Sequence, residues 1–334
     1  MTTLSNSPVF VSGEVVRQVF TWSEAIESLR ATYRLPPQAG TSPPRTVATV
    51  GKAWLRTLPA FPPTGRYFGA KLMGAGVQGV SAGVEYVIVL FDRETSRIAA
   101  FLDANAITAF RTAATSALAL DGLARATPAR LAVLGSGLEA SNHVRAFAAV
   151  RKLTEVVVHS PTPERRTAFA EALTRDLGVP ARAVASGEAA VDGADIVLAA
   201  ARSQGEKPIL FGNWLQRHAT VVSIGSTIPQ QREIDASVVE RSDLIICDSL
   251  EEVLTETGDM IAAEAAGIKF HAKSFSLNDL VSGSCEDRVR AADIRMFKSV
   301  GGGLQDIVVA ELLVRKALEA GLATSLPIQF ESKR

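Results

Sequence analysis

Between residues 130 and 248 five short apolar runs, "RLAVLG", "EVVVHS", "ADIVLAA", "TVVSIG" and "DLIICD", alternate with longer stretches of helical character. Runs this short and this continuously apolar fit strands buried on both faces, and helical stretches between them fit crossover connections. The alternation therefore predicts βα units around a parallel sheet. Between the first two runs, Val144, Phe147 and Ala148 fall at i, i+3 and i+4, which places an apolar stripe on one face of a helix that packs on the sheet.

The first run ends in a glycine-rich turn. "LAVLGSGLEA" sets Gly135, Gly137 and Ala140 in G-x-G-x-x-A spacing directly after a strand, with Leu138 and Glu139 at the opening of the following helix. A tight turn without side chains lets backbone N–H groups and the positive end of the helix approach a pyrophosphate. A bare glycine turn has the same spacing, but a position at the head of a series of βα units favours dinucleotide binding. The second run should end near the adenine ribose, where an acid would accept from the 2′-hydroxyl of NAD and repel a 2′-phosphate. That end reads "VVVHSPTPERR". Ser160 and Thr162 offer hydroxyl donors there, and Arg165 and Arg166 offer the charge a 2′-phosphate needs, so NADP(H) is preferred and NAD(H) stands second. The alternative is that Ser160 and Thr162 merely cap the next helix, with Glu164 supporting the cap.

The 334 residues are enough for two domains, and 47% hydrophobic residues supply a sizeable core. Thirty-five basic and thirty-five acidic side chains cancel, which argues against nucleic acid as a partner. Cys247 and Cys285 form no CxxC or Cys/His cluster, and "MTTLSNSPVF" lacks a positive leader and an apolar h-region, so the expected location is the cytoplasm. No run approaches the roughly 18 apolar residues of a membrane span. The four histidines show no ligand spacing, and no metal is expected. In the first third, "YVIVLFDRETSRIAAFLD" reads as two strands joined by a polar turn, within an antiparallel or mixed sheet. The acidic run "DSLEEVLTETGD" reads as a solvated helix face. After residue 300, "LQDIVVAELLVRKALEAG" has helical period, a Glu311 to Arg315 pair at i, i+4, and Gly321 placed for a C-cap.

Four segments, "FLDANAITAFRTAATSALAL", "LAVLGSGLEA", "GSTIPQQREID" and "FKSVGGGLQDI", resemble the ornithine cyclodeaminase/mu-crystallin family from about Arg45 to about Gly321. The resemblance implies an α/β fold in which a Rossmann dinucleotide-binding domain, residues 119–302, is inserted into an α+β substrate-binding and dimerisation domain. That domain comprises residues 1–118 and a returning C-terminal helix within 303–334. It implies a homodimer and a small amino-acid-like substrate whose carboxylate is held by Arg45, Lys71 and Arg111, with Lys71 and Arg111 also candidates for the catalytic centre. A carboxylate calls for such a set independently, through a bidentate guanidinium or converging cations.

Thr112 is a candidate donor to a cofactor phosphate from the first turn of its helix, or an ordinary helix cap. By resemblance, Lys298, Val300 and Gly301 approach the nicotinamide side, and Glu85 occupies a strand position that carries polar residues facing the site. Ser226 and Thr227 lie in the loop expected under the nicotinamide. In the cyclodeaminases the position of Thr227 carries an aspartate that works on the substrate amine. Cyclisation of ornithine moves protons among two amines and needs a base a hydroxyl cannot supply, whereas reduction of a cyclic ketimine does not. Asp235 resembles a residue that opens the next helical segment and is no substitute. The expectation is an NADPH-dependent ketimine reductase, giving L-proline or L-pipecolate. A cyclodeaminase, an opine-type dehydrogenase and a non-enzymatic crystallin-like NADPH-binding protein are the alternatives.

Overall fold

A computed structural model describes residues 7–201 and 207–331. Packing divides the chain into two units, one of Met1–Thr112 with Gly302–Arg334, the other of Ala113–Gly301. The first boundary, between Thr112 and Ala113, falls inside a single helix, Ala104–Leu123, the same helix that holds the expected boundary at residue 118.

The first unit is a seven-stranded mixed sheet. Its strands are β1 (Val9–Val11), β2 (Thr46–Val50), β3 (Ala53–Ala60), β4 (Tyr67–Ala75), β5 (Glu85–Asp92), β6 (Ile98–Asp103) and a two-residue strand, Thr324–Ser325, at the edge beyond β1. From that edge the order continues β1, β6, β5, β4, β3, β2; β1 runs parallel to β6 and the remaining pairs are antiparallel. The polar turn between β5 and β6 is closed by Asp92, whose carboxylate accepts the N–H groups of Glu94 and Thr95. Period-two alternation decides the faces. Ile88 and Leu90 of β5 are buried, and Lys71 of β4 stands directly opposite Ile88, on the same buried face.

Helices α1 (Gly13–Val19), α2 (Trp22–Tyr33) and the closing helix Gly303–Glu319 belong to this unit, and the closing helix packs on α2, β3 and β4. Ile307, Ala310, Leu313, Val314 and Ala317 of the closing helix are buried, as its period requires. Gly321, at φ +68°, follows its end as expected. The expected Glu311 to Arg315 pair does not form. The Glu311 carboxylate instead accepts the N–H groups of Arg66 and Tyr67, and Arg315 pairs with Glu319 at 3.2 Å.

The second unit is built on an eight-stranded parallel sheet. The five apolar runs form β7 (Ala129–Leu134), β8 (Leu153–His159), β10 (Ile196–Ala199), β11 (Thr220–Ser223) and β12 (Leu244–Cys247). Three strands are not legible as runs: β9 (Ala181–Ala183), β13 (Ser274–Ser276) and β14 (Arg295–Lys298). Their order across the sheet is β13, β12, β14, β11, β10, β7, β8, β9. Every residue of β10, β11 and β12 is buried, which is why these central strands read as apolar runs; β14 is buried too, but Arg295 and Lys298 at its ends break the pattern. The helix Ala104–Leu123, α3, leads into β7; α4 (Leu138–Val150) buries Val144 and Phe147, and α5 (Pro163–Leu177) follows β8. The chain passes from β7 outward to β8 and β9, then returns to the other side of β7 through β10. This reversal is the switch point at which open parallel sheets bind ligands beyond the carboxyl ends of their strands. Among the described residues no helix is long and apolar enough to cross a membrane, and no group of three acidic, His or Cys residues is placed to hold a metal.

Candidate active site

At the switch point, β7 runs into the glycine turn. Gly135 has φ +133°, a conformation other residues rarely adopt, and a Cβ there would collide with the Ala200 carbonyl. Gly137 is the N-cap of α4, with ordinary φ and nothing within 4 Å of where a Cβ would stand. The protein's own packing therefore does not require glycine at 137. Open space over the first turn of a helix is what a pyrophosphate needs, so the residues fit the expected dinucleotide. Leu138 projects outward and is exposed, Glu139 is half-buried, and Ala140 is buried against the sheet. The Ser136 hydroxyl donates to Ser160 Oγ at 2.9 Å, tying the glycine turn to the end of β8. Thr162 is the N-cap of α5, yet its side chain makes no cap hydrogen bond; Thr162 and Arg165 are both exposed. Arg166 turns back and donates to the Ser160 carbonyl.

Beneath the ends of β10 and β11 lies a buried network. The Glu233 carboxylate accepts from Ser223 Oγ at 2.7 Å and from the N–H groups of Ala201, Ile224 and Gly225 at 3.0, 3.0 and 2.8 Å. Burial pushes the Glu233 carboxyl up to about 7, against the pull of Lys298 and of its hydrogen-bond donors. Lys298 Nζ donates to Ser223 Oγ and to Asp259 Oδ2, both at 2.9 Å, and Asp259 Oδ1 accepts the N–H groups of Glu233 and Ile234.

The expected cofactor contact of Lys298 is not what its side chain makes. The ammonium is fully buried in the pair with Asp259, because it points into the sheet from the last position of β14, level with Ser223. The N–H groups of Val300 and Gly301 donate to the Asp248 carboxylate at 3.0 and 2.9 Å. The "solvated" acidic run thus supplies two carboxylates, Asp248 and Asp259, that hold β14 and the loop after it. The Ser226 hydroxyl donates to the Gln231 carbonyl at 2.6 Å, and Thr227 donates its N–H and hydroxyl to Gln231 Oε1 at 3.1 and 3.3 Å. Asp235 caps the short helix Ala236–Arg241 by accepting from Ser237 N–H.

The first unit holds the cation cluster. Lys71, Arg111 and Asp306 are all buried. Lys71 Nζ lies 2.8 Å from Asp306 Oδ2, and Arg111 Nε lies 2.8 Å from Asp306 Oδ1. A second Arg111 nitrogen donates to Gln305 Oε1 at 2.8 Å, and Gln305 Nε2 donates to the Tyr33 hydroxyl at 3.1 Å. Arg45 sits one position before β2. The ladders place Thr46 beside Thr57 and Leu58 beside Lys71, so Arg45 falls in the same row as Lys71. Burial lowers the Lys71 ammonium to about 8; Asp306 opposes the fall, and Arg111 and Arg45 add to it.

Two further expectations fail on geometry. Thr112 is not in a first turn: α3 begins eight residues earlier, and the Thr112 hydroxyl donates to the Thr108 carbonyl at 2.7 Å. Glu85 pairs with Gly74, whereas Lys71 pairs with Ile88. The odd spacing puts Glu85 on the opposite face from Lys71, where it is exposed.

Residues 8–321 match the model of the ornithine cyclodeaminase/mu-crystallin family. The chain belongs to this family. A Δ1-pyrroline-2-carboxylate reductase of Bacillus cereus is 31% identical over 238 residues, covering 71% of this chain and 72% of its own. The ketimine reductase mu-crystallin of Rattus norvegicus is 30% identical over 325 residues, covering 93% and 97%. The structure of Thermococcus litoralis Δ1-pyrroline-2-carboxylate reductase in complex with NADH and L-proline superposes with a TM-score of 0.86 at 27% identity, covering 95% of this chain and all of that one. The family fold accounts for both units. Within it, Asp306, Gln305, Glu233 and Asp259 are the residues sequence reading passes over. For Asp306 and Gln305 the signal is a carboxylate or amide inside an otherwise apolar or glycine-rich segment, "GGGLQDIVVA"; Glu233 in "PQQREID" and Asp259 at the end of "DSLEEVLTETGD" carry no such signal.

Proposed function

We propose that the chain is an NADPH-dependent reductase of a small cyclic imino acid, converting Δ1-pyrroline-2-carboxylate or Δ1-piperideine-2-carboxylate to L-proline or L-pipecolate. The observation that carries the reading is the charge around Lys71. Its buried ammonium and the buried Arg111 guanidinium converge on one carboxylate, Asp306, with Arg45 in the same row of the sheet. Two buried cations converging on one carboxylate favour a second anion, and an α-carboxylate matches the paired cations. The relatives named as reductases of cyclic imino acids support the same class.

The reduced nicotinamide supplies the hydride that makes the new C–H bond. In the ketimine the iminium nitrogen already carries its proton, so the residues need to anchor the carboxylate, orient the ring and exclude water. Lys71 and Arg111 serve as the anchor, held from behind by Asp306 and Gln305. Thr227 and Ser226 offer hydroxyl oxygens and no group that titrates near neutrality, which suits hydride transfer and does not suit deamination of a diamine. The exposed Thr162 and Arg165 at the end of β8, with no acid between Ser160 and Pro163, support NADPH over NADH. A homodimer accompanies this reading through the family.

The test offers the purified protein NADPH with each cyclic imine and with an amine plus a keto acid, and, separately, L-ornithine with the oxidised nucleotide. Nucleotide oxidation with the imine alone is expected. Inertness towards Δ1-pyrroline-2-carboxylate with ammonia release from ornithine would overturn the proposal.

A further inference from the structure

Asp306 stands where two buried cations meet. Its Oδ1 accepts from both, from Lys71 Nζ at 3.0 Å and from Arg111 Nε at 2.8 Å, and its Oδ2 lies 2.8 Å from the Lys71 ammonium. It lies in the first turn of the closing helix, and its neighbour Gln305 takes a second Arg111 nitrogen while donating to Tyr33. The Lys71 amine has a further polar neighbour in Thr108, at 3.4 Å. The charged groups acting on Lys71 come from three places: Asp306 on the closing helix, Arg111 on α3, and Arg45 before β2. Only the first is negative.

We propose that Asp306 is the positioning residue of the carboxylate site: it sets the separation and orientation of the Lys71 ammonium and the Arg111 guanidinium, and keeps Lys71 charged for the incoming anion. This rests on the reading that Lys71 and Arg111 bind the substrate carboxylate. Asp306 itself is enclosed behind the cations and repels an anion, so it contributes through them. Burial and two neighbouring guanidiniums both favour a neutral amine, and Asp306 is the group that opposes them. Without its charge the amine should lose its proton at lower pH, and substrate affinity should disappear with it.

The test compares Asp306→Asn, Asp306→Glu and Lys71→Arg with the wild type by two measurements. One is the pH profile of kcat/KM for Δ1-pyrroline-2-carboxylate. The other is the titration of Lys71 followed by NMR of lysine labelled with carbon-13 at Cε, with Lys71→Arg used for assignment. Wild type should titrate near pH 8, with an alkaline limb in kcat/KM at the same pH. Asp306→Asn should move both to lower pH by a unit or more, each unit costing about tenfold in kcat/KM on that limb. Asp306→Glu should keep the wild-type midpoint even where kcat falls, and Lys71→Arg should show no limb. A Lys71 midpoint unchanged in Asp306→Asn overturns the assignment. A wild-type protein that reduces no cyclic imine at any pH overturns the functional reading instead, and a midpoint that still falls in Asp306→Asn would then uphold Asp306's control of the Lys71 charge.

Discussion

The Glu233 carboxylate accepts the N–H of Gly225 at 2.8 Å and fills the space into which a Cβ on Gly225 would project. The same carboxylate binds the N–H groups of Ala201, just after β10, and Ile224, just after β11. One side chain thus fixes the carboxyl ends of two adjacent strands next to the switch point. Glu233→Ala would strand these buried donors and leave Lys298 and Asp259 to rearrange, at a cost of about 3 kcal/mol or more. Gly225→Ala should destabilise on a similar scale by overlap with the carboxylate. Urea unfolding monitored by fluorescence, at constant m-value, measures both.

Protonation of Glu233 gives stability a pH dependence of definite sign. Its folded pKa, about 7, is above the ordinary 4.5, so between these values the folded protein holds a proton that the unfolded chain has released. The contribution is fully present below pH 4.5 and is lost as pH rises to 7, by roughly 3 kcal/mol. Glu233→Gln removes the titration. The stability difference between variant and wild type should therefore shift in the variant's favour from pH 4.5 to 7 and be level above; unfolding curves that change in parallel across that window would refute it.

Arg111→Ala should abolish substrate use and spare the nucleotide. It breaks a buried pair on one side, which typically costs roughly 3 to 5 kcal/mol, and kcat/KM for the imine should fall by about a hundredfold or more. NADPH affinity by fluorescence titration should stay within a few fold. Loss of both would mean that Arg111 serves the fold rather than the substrate.

Discrimination between the two nucleotides rests on the exposed end of β8. Arg165→Ala should weaken NADPH binding about tenfold, the scale of one charge-assisted hydrogen bond, and leave NADH unchanged. Equal losses for both nucleotides would remove Arg165 from the 2′-phosphate.

The glycine turn and five of the eight parallel strands are legible because each is written in a few contiguous residues. The site's supporting residues are not. Lys71 and Asp306 are 235 positions apart, and no local period links them. The face that Glu85 occupies depends on the β4 and β5 register, which the intervening residues 76–84 leave open to a sequence reader. Thr112 escapes placement because α3 runs unbroken from Ala104 through the small-residue stretch, with its threonine hydroxyls bonded back to carbonyls one turn earlier. Lys298 stands on the nicotinamide side by resemblance alone, and its buried partner Asp259 lies 39 positions away, so no local pattern signals the ion pair.

Hydride transfer to an imine carbon is the central claim, and isotope transfer tests it most directly. NADPH carrying deuterium at both C4 positions, reacted with Δ1-pyrroline-2-carboxylate and the enzyme, should give L-proline with one deuterium at Cα by mass spectrometry, in proportion to nucleotide oxidised. Proline without the label, or no proline from the imine and unlabelled proline with ammonia from L-ornithine, would contradict it.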